Sequence, residues 1–216
     1  MKRFRCVAAT VMMVVCVGAW GQQRNINFDL VQAARSGSVA TVRALLDQGA
    51  SPNSRNRLGD SPLNNAARNG NVELVQLLLE RGADVNLANL ARVTPLMSAA
   101  YGGHAAIAKM LLAAKADLAP IDRTEKTAMV YAAGNGNADC VAALLAAGVD
   151  VNQRYANDAT ALMWAAAYGK SDTVKLLLER GADVSARDNR GETALSLAVA
   201  EKQAEAAALL RASGGK

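Results

Sequence analysis

The chain has 216 residues, of which 51% are hydrophobic, 20% charged and only 4% aromatic. Its 17 Gly and 4 Pro are too few for a collagen-like or linker-like chain, and the hydrophobic share excludes a wholly disordered one. The formal charge of +5 invites a nucleic-acid reading, but Lys2, Arg3 and Arg5, three of the 24 bases, lie in the first five residues; without them 21 bases face 19 acids, and the basicity belongs to a targeting segment rather than a binding surface.

Residues 1–21 contain no Asp or Glu and read as a signal peptide, with a basic start, an apolar stretch from Cys6 to Val17 and small residues at Ala19 and Gly21. This pattern predicts cleavage before Gln22, with cleavage after Ala19 as the alternative. The apolar run is shorter than the ~20 residues that span a bilayer. Val15 stands where a lipid-modified Cys16 would require a small residue. The expected product is exported, periplasmic or else secreted, with no stable membrane insertion after cleavage. It retains one cysteine, Cys140, so no internal disulfide can form and stability must come from packing. No Asn-x-Ser/Thr acceptor occurs, which fits a periplasmic route.

From about Arg24 the chain repeats itself every 33 residues. Ser61, Thr94, Thr127, Thr160 and Thr193 share one place in the period, and Gly37, Gly70, Gly103, Gly136 and Gly169 another. Alanine pairs from Ala33-Ala34 to Ala165-Ala166 keep the same register. Within one unit, Ser61-Pro62-Leu63 predicts a helix start, with a hydroxyl cap and a proline in the first turn. Asn69-Gly70-Asn71 breaks that helix after about two turns. Val72, Leu74, Val75, Leu77, Leu78 and Leu79 predict a second helix, ended by Gly82. Helices this short are marginal alone, so each unit must bury its apolar face on its neighbours.

These residues resemble the ankyrin-repeat family. The runs that carry the resemblance are DSPLNNAARNGNVELVQLLLERGADVN from Asp60 to Asn86 and ATALMWAAAYGKSDTVKLLLERGADVS from Ala159 to Ser185. The resemblance implies an all-α fold, an α-solenoid of about six ankyrin repeats built from helix-turn-helix units with short β-hairpin loops. Its expected divisions are a partial repeat over 24–54, repeats over 55–87, 88–120, 121–153 and 154–186, a C-terminal cap over 187–212 and a flexible tail over 213–216. The family's histidine after Thr-Pro-Leu is replaced throughout, by Val31, Asn64, Met97, Val130, Met163 and Ser196, so its hydrogen bond to the threonine is expected to be missing. Arg92, Glu125 and Asp158 replace the hairpin glycine, and Lys115 replaces a helix-ending glycine, at an expected cost of ~1 kcal/mol if its φ is positive.

Little in the chain points to chemistry. His104 sits in a turn where the family often carries histidine, and Cys140 aligns with Leu74 and Ile107 on the inward face of the second helix. Neither belongs to a Cys/His cluster with zinc spacing. Gly134-Asn135-Gly136 is explained by the register and follows no buried strand, unlike a phosphate loop. No enzyme activity, cofactor, metal or nucleic-acid partner is expected.

Surface remains. The resemblance implies that a protein partner is held on the concave face of hairpins and first helices. On that face the sequence offers Arg57, Leu58, Arg68, Leu90, Tyr101, Arg123, Lys126, Tyr155, Trp164 and Tyr168. Tyr131 shares the repeat place of Trp164 and of Ser98, and packing between repeats is its alternative role. Tyr and Trp are common interface anchors. The reading is a monomeric, non-catalytic protein-binding module, with an inhibitor or immunity-like protein of a periplasmic toxin or enzyme, or a secreted effector acting on a host protein, as the alternatives.

Overall fold

The computed structural model describes residues 26–215. The expected signal peptide over 1–21 and Lys216 lie outside the described residues. Helix α1 (residues 26–36) pairs with α2 (Val39–Asp47). Four pairs follow, α3 (Pro62–Arg68) with α4 (Val72–Glu80), α5 (Pro95–Gly102) with α6 (Ala105–Ala113), α7 (Ala128–Asn135) with α8 (Ala138–Ala146), and α9 (Ala161–Ala167) with α10 (Ser171–Glu179). The stack closes with α11 (Ala194–Ala200) and α12 (Ala204–Ala212). First helices pack on first helices and second on second, so the core is a continuous layer along the stack. No strand forms among the described residues, and the fold is an all-α solenoid. The expected β-hairpins are turns, each closed by two backbone bonds such as Asn89 N–H to Val93 O at 3.0 Å and Arg92 N–H to Asn89 O at 2.9 Å.

The helices begin where the hydroxyl caps predict. Ser61, Thr94, Thr127, Thr160 and Thr193 each accept the backbone N–H three residues on. The residues that replace the family's histidine were expected to leave the cap half-made, and the structure corrects this. Asn64 Oδ1 accepts the Ser61 N–H at 3.2 Å, Ser196 Oγ accepts the Thr193 N–H at 2.8 Å, and the sulfurs of Met97 and Met163 accept weakly at 3.5 and 3.4 Å. Val130 has no atom to offer there.

The turn after each second helix is left-handed. Lys115 adopts it at φ 65°, and its N–H and that of Ala116 bond to Leu112 O and Leu111 O, both at 2.9 Å, as Gly82 and Ala83 bond to Leu79 O and Leu78 O. Arg92, Glu125 and Asp158 hold the hairpin place at φ 65°, 60° and 59°, and Lys202 holds the turn between α11 and α12 at 58°. The last left-handed turn belongs to the fold. Gly214 and Gly215 donate to Arg211 O and Leu210 O at 3.1 and 2.9 Å, so residues 213–215, expected as a tail, complete the closure of α12.

Neighbouring repeats are tied by recurring polar bonds. An Asn or Asp opens each regular hairpin and accepts two of its N–H groups. Asn56 accepts those of Leu58 and Asp60, Asn89 those of Ala91 and Val93, Asp122 those of Thr124 and Lys126, and Asp188 those of Arg190 and Glu192. Backbone rungs then join successive hairpins, Leu90 N–H to Leu58 O, Arg123 N–H to Ala91 O and Asn189 N–H to Asn157 O, all at 3.0 Å. Between Asp122 and Asp188 the hairpin-opening place is Tyr155, which cannot accept in this way. There the turn tightens into a 3-10 helix over Ala156–Asp158, with Asn157 also at positive φ, and the rung to the hairpin of Thr124 is missing.

A second tie is made by asparagines beyond the second helices. Asn53, Asn86 and Asn152 accept the N–H groups of Asp84, Asp117 and Asp183 at 2.7 to 2.9 Å. Ala119 occupies the corresponding place before Asp150. Ala119→Asn should therefore supply an acceptor for the Asp150 N–H and raise the unfolding free energy by ~1 kcal/mol. Chemical denaturation checks this, and an unchanged midpoint would show that the missing tie costs nothing.

In the second-helix layer of the core, one place is polar without a partner. Thr173 is fully buried at the repeat place held by Leu74, Ile107 and Cys140, and its hydroxyl makes no hydrogen bond. Thr173→Val keeps the shape and removes the uncompensated group, and should raise the melting free energy by ~1 kcal/mol in calorimetry.

Candidate protein-binding face

Three first helices, α5, α7 and α9, lie side by side and bring four aromatic rings together. Tyr101 and Tyr131 meet edge to face, with centroids 5.7 Å apart and planes at 83°. Trp164 and Tyr168 stack at 6.1 Å and 10°. Between the pairs stands Lys126, whose Nζ lies 5.7 Å from the Tyr131 centroid and 5.8 Å from that of Trp164, a cation held over two rings. Tyr101 and Tyr168 are 59% and 54% exposed, unusual for rings of this size unless a surface is meant to be covered.

Tyr131 is the fixed wall of this arrangement. Its hydroxyl donates to Asp122, the same carboxylate that closes the hairpin through the N–H groups of Thr124 and Lys126. Burial opposes the charge on Asp122, but the bonds from Tyr131, Lys126 and Thr124 outweigh it and hold the carboxyl below its usual range. Burial and the neighbouring carboxylate push the Tyr131 phenol up to about 12. Hairpin and ring are thus one hydrogen-bonded unit.

The rings border two clefts. One, of about 210 Å³, is lined by Arg68, Val93, Met97, Ser98, Tyr101 and Tyr131. The other, of about 230 Å³, lies between α7 and α9 and includes Lys126, Trp164, Tyr168 and Lys170. Arg68 is turned back toward the buried carboxylate of Asp60, 3.6 Å away.

Five of the ten residues singled out from the sequence, Arg68, Tyr101, Lys126, Trp164 and Tyr168, thus meet around these clefts. Arg57, Leu58, Leu90 and Arg123 stand on the hairpin tips outside them, with Leu58 and Leu90 among the most exposed apolar side chains at 68% and 56%. Tyr155 is half-buried against the core, and burial raises its unpartnered phenol. Met97, Ser98, Val130 and Lys170 were not anticipated. The register could have found them, because Met97 and Ser98 stand one repeat before Val130 and Tyr131.

Elsewhere the reactive residue types serve the fold. His104 Nε2 lies 3.1 Å from Arg68 O, and its ring covers Gly70 and Gly102. Asn137, one repeat later, reaches Tyr101 O in the same way at 3.1 Å. Cys140 is buried, and burial, helped by Asp139, lifts its thiol to about 11, far from a reactive thiolate. Among the described residues no three His, Cys, Asp or Glu side chains cluster to hold a metal, and no helix is long and apolar enough to cross a membrane.

No curated protein matches the chain. A family profile described as ankyrin repeats (3 copies) matches it in three overlapping stretches, residues 30–122, 89–155 and 129–216, which together run from within α1 to the end of the chain given. With the 33-residue register, the capped first helices and the left-handed turns, this match shows that the chain belongs to the ankyrin-repeat family.

Proposed function

We propose that the chain is an exported, non-catalytic protein-binding stack that holds a partner on the face formed by its hairpins and first helices. Ankyrin repeats are in general protein-protein interaction modules. The observation that carries the reading here is the group of four rings and one lysine gathered on that face, with two tyrosines left open to solvent. Aromatic side chains with little conformational freedom are the usual anchors of protein interfaces. Export rests on the basic, then apolar, then small-residue order of residues 1–21.

Two measurements test this. Terminal sequencing of the purified protein should begin at Gln22, or else at Trp20, and soluble cytosolic chain starting at Met1 would overturn export. Affinity capture from periplasmic extract should retain a protein that the Tyr101→Ala, Tyr168→Ala double variant loses. Retention by both would overturn the assignment of the face. A single enzyme held in equal amount would identify an inhibitor, whereas several structural partners would identify a scaffold.

A further inference from the structure

The two clefts are one cleft made twice. Advancing Arg68, Val93, Met97, Ser98, Tyr101 and Tyr131 by one 33-residue repeat gives Tyr101, Lys126, Val130, Tyr131, Gly134 and Trp164, and all six line the second cleft. Their separation is therefore that of adjacent first helices, ~8–10 Å. A segment laid across the helices must present two anchors on one side at that distance. In a β-strand the same-side neighbours i and i+2 lie only ~7 Å apart. In polyproline II, with three residues per turn and ~3.1 Å per residue, i and i+3 share a side ~9 Å apart. A helix can also match, at i and i+7 (~10.5 Å), but its carbonyls are bonded internally.

The polar atoms of the clefts decide between these. Ser98 is 2% exposed and its hydroxyl has no partner, and the indole N–H of Trp164 is covered and unpartnered as well. They stand two repeats apart, Ser98 in the first cleft and Trp164 in the second, and the place between them is Tyr131, whose hydroxyl is already given to Asp122. Polyproline II makes no internal hydrogen bonds and leaves every carbonyl free to accept. Aromatic-lined grooves suit proline rings. The charges add a sign. Neither Lys126 nor Lys170 takes part in an ion pair among the described residues, while Asp60 and Asp122 on this side are buried and occupied by Asn89 and Tyr131.

We propose that the clefts receive an acidic, proline-containing segment of the partner protein in the polyproline II conformation, with prolines at i and i+3. This rests on the reading of the face as the binding face. The test is selection from a displayed library of random nine-residue peptides on the purified soluble protein, followed by fluorescence anisotropy of the enriched sequences. Enrichment of Pro-x-x-Pro flanked by Asp or Glu is expected. Binding should weaken at least tenfold in Tyr101→Ala and several-fold in Trp164→Phe, which keeps a ring but removes the donor. In Lys126→Ala its salt dependence should flatten. Enriched peptides of other chemistry that still depend on Tyr101 would overturn this inference and leave the binding face standing. Peptides indifferent to Tyr101 and Tyr168, or no enrichment, would overturn both.

Discussion

Glycine at Arg92, Lys115, Glu125 and Lys202 together should raise the unfolding free energy by about 3–4 kcal/mol. Each of these residues is held at φ between 58° and 65°, where a side chain crowds the following carbonyl. That conformation costs ~1–2 kcal/mol, and the extra freedom of glycine in the unfolded chain returns part of the gain, leaving about 1 kcal/mol per site. The four lie in separate turns, so their effects should add to a first approximation. Asp158 belongs to the same class of position but should yield less, because aspartate tolerates the left-handed region better. Denaturant titration measures the sum, and hydrogen exchange locates it, since a stack can open one unit at a time. A combined gain below 1 kcal/mol would mean that the surrounding turns already absorb the strain.

Alanine at Tyr101 or at Tyr168 should each weaken partner binding by ~2 kcal/mol or more, the scale of interface hot spots, with the fold intact. Both rings are more than half exposed, so their removal opens no core cavity. Arg57→Ala should act mainly on the association rate and its salt dependence, as a charge at a rim does. Lys175 and Glu179, exposed on α10, serve as controls on a second helix and should tolerate alanine. Normal binding by the tyrosine variants with loss in Lys175→Ala would place the interface on the other side of the stack.

Much of the architecture was legible because a repeated unit multiplies weak local signals. One capping Ser or Thr or one glycine decides little, whereas five at equal spacing fix helix starts and turns together. The left-handed turns at Arg92, Lys115, Glu125 and Asp158 could be located because glycine marks the same place in other repeats. Lys202 escaped notice because it lies in the terminal unit. What single positions do not reveal is which side chains from different repeats share a space. The bond between Tyr131 and Asp122 joins residues nine apart through the fold of a hairpin, and Ser98 looks like an ordinary small core residue until its cleft is seen. The replacement of the capping histidine illustrates a second gap, since Asn, Ser and even a methionine sulfur can take its bond once the turn brings them near.

The repeat over 121–153 supplies Lys126 and Tyr131 to the middle of the face. It is also the one that lacks a tie on each side, the asparagine bridge at Ala119 before it and the hairpin rung at Ala156 after it. Its amide protons should consequently exchange faster than those of its neighbours in the free protein. A ligand seated across Tyr101, Tyr131 and Trp164 would stitch this unit to both flanks. Part of the affinity would then be spent on stilling it, and occupancy would register as slowed exchange in helices the ligand never touches.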